Sequence, residues 1–514
     1  MGRLKLHETS GVLVAAATSP AQFLYALSAS HVNNNLPILS NSLGISLSTA
    51  SWIINVELIV VVITATMTGK LCDRFGTSLV MSLGTAVFAV FNLLFLFGAA
   101  ETSLLVVLIL RFLASAGLGL MLPASTPLAV QLVKKGKLNV AIAIMSIMVP
   151  FGFILSSLIA GYVAQYGSWR YMFAIVGGLS LLYLGGQLLV LPYKESARRR
   201  VQIDFLGVII LSVGLTLFIV GLTSFAQQLL PWWGSALLLV ASVGVLAFFA
   251  FYNIRLSRAK VFPLAVFNRS TVVIEVMIFM INVLGYSERF LMPYIFMVLL
   301  KLPPGRAGIL ISITGCSTFA FAPLASFLFV RVTTRRLQFM LHALYLVFVL
   351  LNILNLQLVQ SAVFYTVITF VTIGLTTAST IISTNYNFSA VPPAFQNTVG
   401  VLNQLVTNAG HSVGVTLAVL VNNLSTDPGQ ELTFNSATIT VAASGVVAVA
   451  VVATSLLLSL FQFERGRWGY SERQSARTKT FDENLLGDHE VLEVEQFGQE
   501  KDQEPAFTYR GLLL

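Results

Sequence analysis

An all-α integral membrane protein is what this sequence predicts, on three observations. The first is composition: 56% of the 514 residues are hydrophobic and 10% are charged, with a mean hydropathy of +0.85, a balance foreign to soluble domains. The second is a series of apolar runs long enough to cross a bilayer, about 20 residues each, recurring as far as residue 461. The third is that lysine and arginine concentrate in alternate loops, as the positive-inside rule requires.

Taken in order, the apolar runs fall near residues 12–38, 48–69, 78–98, 103–131, 139–164, 171–193, 206–226, 233–255, 271–300, 306–330, 337–357, 361–389, 398–422 and 437–461, which makes fourteen transmembrane helices. The short segment before them, 1–11, has no signal-peptide cleavage pattern, and Leu6 breaks the myristoylation pattern. One set of loops carries Lys70 and Arg74, Lys134, Lys135 and Lys137, Lys194 and Arg198 to Arg200, Arg255, Arg258, Lys260 and Arg269, then Arg331, Arg335 and Arg336. The opposite set carries only Arg170, Lys301 and Arg306. The basic set is therefore cytoplasmic, and both termini join it. A plasma-membrane location is expected first, with a vacuolar or endosomal membrane as the alternative. Past residue 462 the chain turns polar and then acidic, from Asp482 to Glu504, and a disordered cytoplasmic tail is expected there. Asp482-Glu-Asn-Leu-Leu486 resembles an acidic dileucine sorting signal.

The same features exclude several function classes. The net charge of +9 is spent on loop orientation, so no nucleic acid partner is expected. Cys72 and Cys316 form neither a disulfide framework nor a zinc spacing. No phosphate-binding lysine loop is present, and the loops are too short for an ATPase domain. No cofactor, metal or enzymatic activity is expected, and a monomer is.

Polar side chains inside the spans carry the functional reading, because ionisable groups in hydrocarbon normally face a cavity or a partner. Ser28, His31 and Asn35 follow one another along one stripe of the first span, with Asn33 and Asn34 beside them. Two readings are open for His31: a wall of a hydrated cavity, or a neutral imidazole bonded to a neighbouring helix. Glu57 sits near the middle of the second span, with Asn55 nearby, and Arg111 in the outer half of the fourth. Glu57 either handles a proton or simply neutralises Arg111. In the ninth span Glu275, Asn282, Tyr286 and Arg289 share a face while Glu288 points off it. Asn397, Asn403, Gln404, Asn408 and His411 make a polar ladder in the thirteenth. The expected proton-coupling set is Glu57, Arg111, Glu288 and Arg289. The expected substrate cavity is Ser28, His31, Asn34, Asn35, Asn282, Asn403, Gln404 and His411.

Between the second and third spans lies Gly69-Lys-Leu-Cys-Asp-Arg-Phe-Gly76, read as a tight charged hinge whose glycines allow close helix approach. This segment is similar to the signature loop of the major facilitator superfamily, specifically its fourteen-span drug:proton antiporter branch. Arg111 with Gly117 and Gly119, Gly167-Ser-Trp-Arg-Tyr-Met-Phe173, Pro263-Leu-Ala-Val-Phe-Asn-Arg269 and the glycines from Gly410 to Gly414 resemble further motifs of that branch, in the right order. Ser28 stands where the branch usually carries an aspartate, and Ser156-Ser-Leu-Ile-Ala-Gly161 where it has Gly-Pro and paired glycines; Glu57 would then supply the missing carboxylate. The resemblance implies two six-helix bundles, 12–193 and 261–461, with two extra spans in 194–260. It also implies a conformational latch of Gly69, Asp73, Arg74 and Gly76, and alternating access around a mid-membrane site. The expected function is proton-coupled efflux of amphiphilic or cationic small molecules, with protons, membrane lipid and a small-molecule substrate as partners. The alternative is an uptake or vacuolar carrier for basic amino acids or another small polar solute.

Overall fold

A computed structural model describes residues 18–97, 103–132, 138–191, 204–257, 261–262, 266–267, 269–332, 334–391 and 396–425. Thirteen long helical elements are described, and no strand occurs among these residues. They are α1 (Pro20–Leu43), α2 (Trp52–Phe75), α3 (Thr77–Leu93), α4 (Leu104–Leu132), α5 (Leu138–Tyr166), α6 (Arg170–Val190), α7 (Phe205–Gln227) and α8 (Trp232–Phe251). After them come α9 (Arg269–Tyr294), α10 in two pieces (Pro304–Gly315 and Ser317–Arg331), α11 (Thr334–Leu354), α12 (Ala362–Ser389) and α13 (Gln396–Ser425).

Twelve of the elements, α2 to α13, are long and apolar enough to cross a membrane. The protein is thus a multi-pass membrane protein. At 24 residues, about 36 Å at helical rise, α1 is as long as the others. Its polar run from Ser28 to Asn35 keeps it off the apolar set, and it is wrapped by other helices instead, with that whole run buried except Ala29. The fourteenth apolar run (437–461), the tail and the dileucine segment lie outside the described residues.

Two boundaries move from their sequence-based places, each for a local reason. Pro20 occupies the first turn of α1, where a missing N–H costs nothing, and the helix runs through Pro37 to end at Gly44, in the left-handed region at φ 64°. The segment read as a hinge is helical: α2 continues through Lys70, Asp73 and Arg74 to Phe75. A single residue, Gly76, at φ 97° and ψ 135°, makes the whole turn into α3. That backbone region is open almost solely to glycine.

In the first half of the chain α1 packs along α5, α2 along α4, and α3 against α4 and α6. In the second half α9 packs along α13 and α12, and α12 also carries α10 and α11. The halves meet along two seams, α5 on the first piece of α10 and α2 on α13, with α1 touching α9 between them. The α5–α10 seam is backbone-tight. A Cβ on Gly161 would stand 2.5 Å from the Pro304 carbonyl, and one on Gly308 would stand 2.5 Å from the Ser157 carbonyl, the close approach that small residues permit between membrane helices.

Helices α7 and α8 pack on each other, and α7 makes most of the contact with α2 and α13. Of the α8 residues only Ser235 and Ser242 are buried, so its outer face is left to lipid, with Trp232 and Trp233 exposed at one end as interfacial anchors. Asp204 caps α7 by accepting from the Gly207 N–H at 2.8 Å, and it ties in the end of α8 through the hydroxyls of Tyr252, at 3.0 Å, and Ser257. Burial works to raise its carboxyl, but those three donors and the nearby Lys70 charge outweigh it and hold the pKa below the ordinary carboxylate value.

Candidate functional site

A cavity of about 900 Å³ lies between the two halves of the chain. Helix α1 contributes Gln22, Tyr25, Ala29 and Asn33, a stripe at spacings of three and four residues, with Ser30 and Asn34 at its edge. Across from it, α9 contributes Asn282, Tyr286 and Arg289, α12 contributes Thr376, Thr377 and Thr380, and α13 contributes Gln404, Thr407 and His411. At one end the cavity reaches Gly69, Lys70 and Thr77 beside the α2–α3 turn. Towards the other end both halves share one apolar cluster, including Leu36, Ile53, Phe173, Phe290, Phe296 and Tyr365. The cavity is therefore one-sided.

Asn33 Nδ2 donates to the Arg289 carbonyl at 2.8 Å, tying α1 to α9 across the cavity. The Arg289 guanidinium lies 3.5 Å from the Thr377 hydroxyl and 5.9 Å from the centroid of the Phe153 ring. It pairs with no carboxylate among the described residues. His411 Nε2 is 3.1 Å from Asn282 Oδ1, and its ring stacks on Tyr286 with centroids 4.2 Å apart. Since Asn282 Nδ2 donates to the Ile278 carbonyl, Oδ1 is the acceptor and His411 Nε2 carries the proton.

Of the expected cavity residues, Asn34, Asn282, Gln404 and His411 line this space. Ser28, His31 and Asn35 do not. They lie on the side of α1 roughly 100–160° round the helix from the Tyr25–Ala29–Asn33 stripe, inside the first bundle. There Arg111 Nη1 donates to the Ser28 hydroxyl at 2.9 Å, and Arg111 forms an ion pair with Glu57. Both partners are buried, Arg111 at 1% exposure and Glu57 at 4%. The His31 ring meets Phe173 edge-on at 4.5 Å, and the Arg111 guanidinium sits 6.0 Å from the same ring. Neither ring nitrogen of His31, neither amide atom of Asn35, nor Glu57 Oε1 has a protein hydrogen-bond partner. Asn403 also faces away from the cavity: its Oδ1 accepts from Asn387, which donates to Glu275 as well, each at 2.8 Å. Glu288 likewise points off the cavity face and accepts from the Thr372 hydroxyl at 2.6 Å.

For the expected latch, the structure places Gly76 in the turn, Gly69 on the cavity wall with open space around it, and Arg74 exposed over the Phe75 ring at 5.4 Å. The close helix approach expected at Gly69 is absent because α2 simply continues there. The Asp73 side chain and that of Asn397 lie outside the described residues.

Sequence reasoning missed Tyr25, Asn33 as a cross-cavity link, and the Thr376–Thr377–Thr380 run. The available signal was the threonine spacing along α12, which repeats on one helix face as the first-span stripe does.

The model of the Major Facilitator Superfamily matches residues 18–415. The chain belongs to that superfamily. The fold is shared with solved transporters: the nucleoside transporter NupG superposes with a TM-score of 0.62 at 13% identity, covering 86% of this chain and 99% of that one. The D-xylose–proton symporter superposes with a TM-score of 0.60 at 15% identity, covering 88% and 98%. Superfamily relatives by sequence include the tetracenomycin C resistance and export protein of Streptomyces glaucescens, 29% identical over 45% of this chain and 42% of its own length. Another is the multidrug export protein EmrB of Escherichia coli, 25% identical over 45% and 44%. A third is the acurin A biosynthesis cluster MFS-type transporter of Aspergillus aculeatus, 28% identical over 58% and 54%. The matches span about half the length of these relatives. Superfamily members of this kind are transporters, not enzymes.

Proposed function

We propose that this chain is a secondary active transporter that exports amphiphilic small molecules by alternating access, coupled to protons. The observation that carries the reading is the one-sided cavity: about 900 Å³, the size of a small-molecule site, between two halves that meet on narrow seams. Sequence relatives that are named exporters support the direction. With the basic loops taken as cytoplasmic, the cavity opens to the cytoplasm and the shared apolar cluster seals the outer side. Rocking of 12–193 against 261–461 about the α5–α10 and α2–α13 seams would exchange the two. The Gly69–Gly76 segment would then bias that exchange. Helices α7 and α8, held mainly by α7, would ride on the outside. A monomer in the plasma membrane, with both termini cytoplasmic, fits this arrangement.

Coupling is assigned to Glu57 and Arg111. Glu57 is a mid-span carboxylate with one oxygen in the ion pair and the other without a protein partner, so protonation would release Arg111 to the Ser28 hydroxyl and neighbouring groups. Glu288 beside Arg289 is the rival site. The other reading, a carrier for basic amino acids, would require an acid on the cavity wall, and the described lining residues supply none.

Flux into sealed proteoliposomes under an imposed pH gradient tests the proposal. The wild type is expected to move amphiphilic solutes when the gradient is present. Glu57→Gln, a mimic of the protonated state, is expected to keep solute exchange and lose gradient-driven flux. Full gradient-driven flux from that variant would make Glu57 a structural counter-ion, and no flux of any solute from the wild type would overturn the transport reading.

A further inference from the structure

The described wall of the cavity carries two formal charges, Lys70 at the mouth and Arg289 in the interior, and no carboxylate. Among the described side chains, the mid-span acids are turned away or already engaged. Glu57 is paired with Arg111, Glu288 accepts from Thr372, and Glu275 accepts from Asn387. Lys70 faces the capping carboxylate of Asp204. Arg289 is therefore the cavity's interior charge without an ion-pair partner among the described residues; the carboxylate that feels it, Glu288, is the preceding residue and lies off the cavity face.

We propose that Arg289 is the anchor for an anionic head group, so that the transported class is amphiphilic anions: carboxylates, sulfonates or acidic phenols on an apolar body. The inference rests on the transport reading above and names its substrate class. The geometry suits the task. The Asn33 side chain holds the Arg289 backbone carbonyl, so α9 is fixed where the guanidinium leaves it. Thr377 and the Phe153 ring support the guanidinium from the sides without neutralising it. A planar guanidinium binds an oxyanion through two parallel hydrogen bonds, which a neutral group cannot match. Beside the head-group position, the Thr377 hydroxyl accepts from Arg289 and keeps its own hydrogen to donate, and Tyr286 offers a flat face. The body of the solute would lie against Ile281, Met292 and Ile311.

A cation fares poorly in the same space. Held about 8 Å from the guanidinium at an effective dielectric near 20, it loses roughly thirtyfold in affinity. The expectation of cationic substrates, drawn from the sequence, meets this charge directly.

The test uses the full chain in nanodiscs and three probes that share one apolar body and keep their charge at every working pH: naphthylmethanesulfonate, naphthylethanol and naphthylethyltrimethylammonium. Equilibrium dialysis reads binding without flux. The sulfonate is expected to bind about tenfold tighter than the alcohol, with the ammonium weakest. Arg289→Gln is expected to erase the sulfonate's advantage, and Arg289→Lys, which keeps the charge and loses the fork, to retain part of it. Equal binding of the three probes, preference for the ammonium, no binding above empty nanodiscs, or an Arg289→Gln protein that keeps the sulfonate preference would each overturn the proposal. Sulfonate binding without any flux would instead overturn the transport reading and leave the anion site standing.

Discussion

Removing one partner of the Glu57–Arg111 pair should cost far more than removing both. Arg111 is 1% exposed and has two polar partners, the Glu57 carboxylate and the Ser28 hydroxyl, the latter at 2.9 Å. Glu57→Leu leaves the guanidinium buried with one neutral acceptor and the face of Phe173. Stranding a buried charge in this way costs about 3–5 kcal/mol. Arg111→Met strands the carboxylate instead and should cost a similar amount. The double variant Glu57→Leu/Arg111→Met removes both desolvated charges and fills the space with apolar atoms, which is commonly neutral or stabilising by ~1–4 kcal/mol. With the wild type, the three variants form a double-mutant cycle, read as unfolding free energy by denaturant titration in mixed micelles. A coupling of about 3 kcal/mol or more is expected. If the losses of the two single variants simply add in the double, the pair is not the buried, mutually neutralising unit described here.

Three further outcomes follow from local geometry. Gly76→Ala should destabilise the α2–α3 turn by roughly 1–3 kcal/mol, because φ 97° with ψ 135° suits glycine; protease nicking at the turn reads it, and unchanged cleavage would contradict it. Asp204→Ala should loosen α7 from the end of α8 by about 1 kcal/mol, the usual worth of a helix cap. Because the folded pKa of Asp204 is depressed, its contribution is fully present above the unfolded carboxylate value of about 4 and is lost as pH falls through the folded pKa. Thermal unfolding from pH 6 down to about 3 should therefore show the wild type converging on the Asp204→Ala variant in acid, and a constant gap would refute the assignment. Gly161→Val should force apart the α5–α10 seam, where a Cβ already meets the Pro304 carbonyl at 2.5 Å, and abolish flux while leaving the protein in the membrane; wild-type flux would show that the seam is not a contact of the working cycle.

The helical fold was legible because lipid demands it: backbone groups in hydrocarbon must bond within their own helix, and long apolar runs bounded by basic loops have few other interpretations. The pairing of Glu57 with Arg111 was also within reach, since two opposite charges inside spans seek each other. Orientation within the first span was not. Ser28, His31 and Asn35 form a more polar stripe than Tyr25, Ala29 and Asn33, and a bundle interior holding Arg111 accepts polar side chains as readily as a cavity does. Only the neighbouring helices decide which stripe faces which. The α2–α3 segment misled for a different reason. Polar residues and a glycine at Gly69 look like a loop, yet Lys70, Leu71 and Arg74 are good helix formers, and α2 continues until Gly76 stops it.

Opposed motion at the two ends of the cavity is the most direct consequence of the proposed cycle. In a background lacking Cys72 and Cys316, spin labels at Leu79 and Arg336 report the end beside the α2–α3 turn, and labels at Ser42 and Leu358 report the end sealed by the apolar cluster; all four sites are exposed. Pulsed electron–electron resonance of the full chain in nanodiscs, with and without naphthylmethanesulfonate and at pH values on either side of neutrality, measures both distances. Alternating access predicts that the first pair shortens as the second lengthens, within one sample series. Two distances that stay fixed together, or move in the same direction, under conditions where the solute is carried would contradict it.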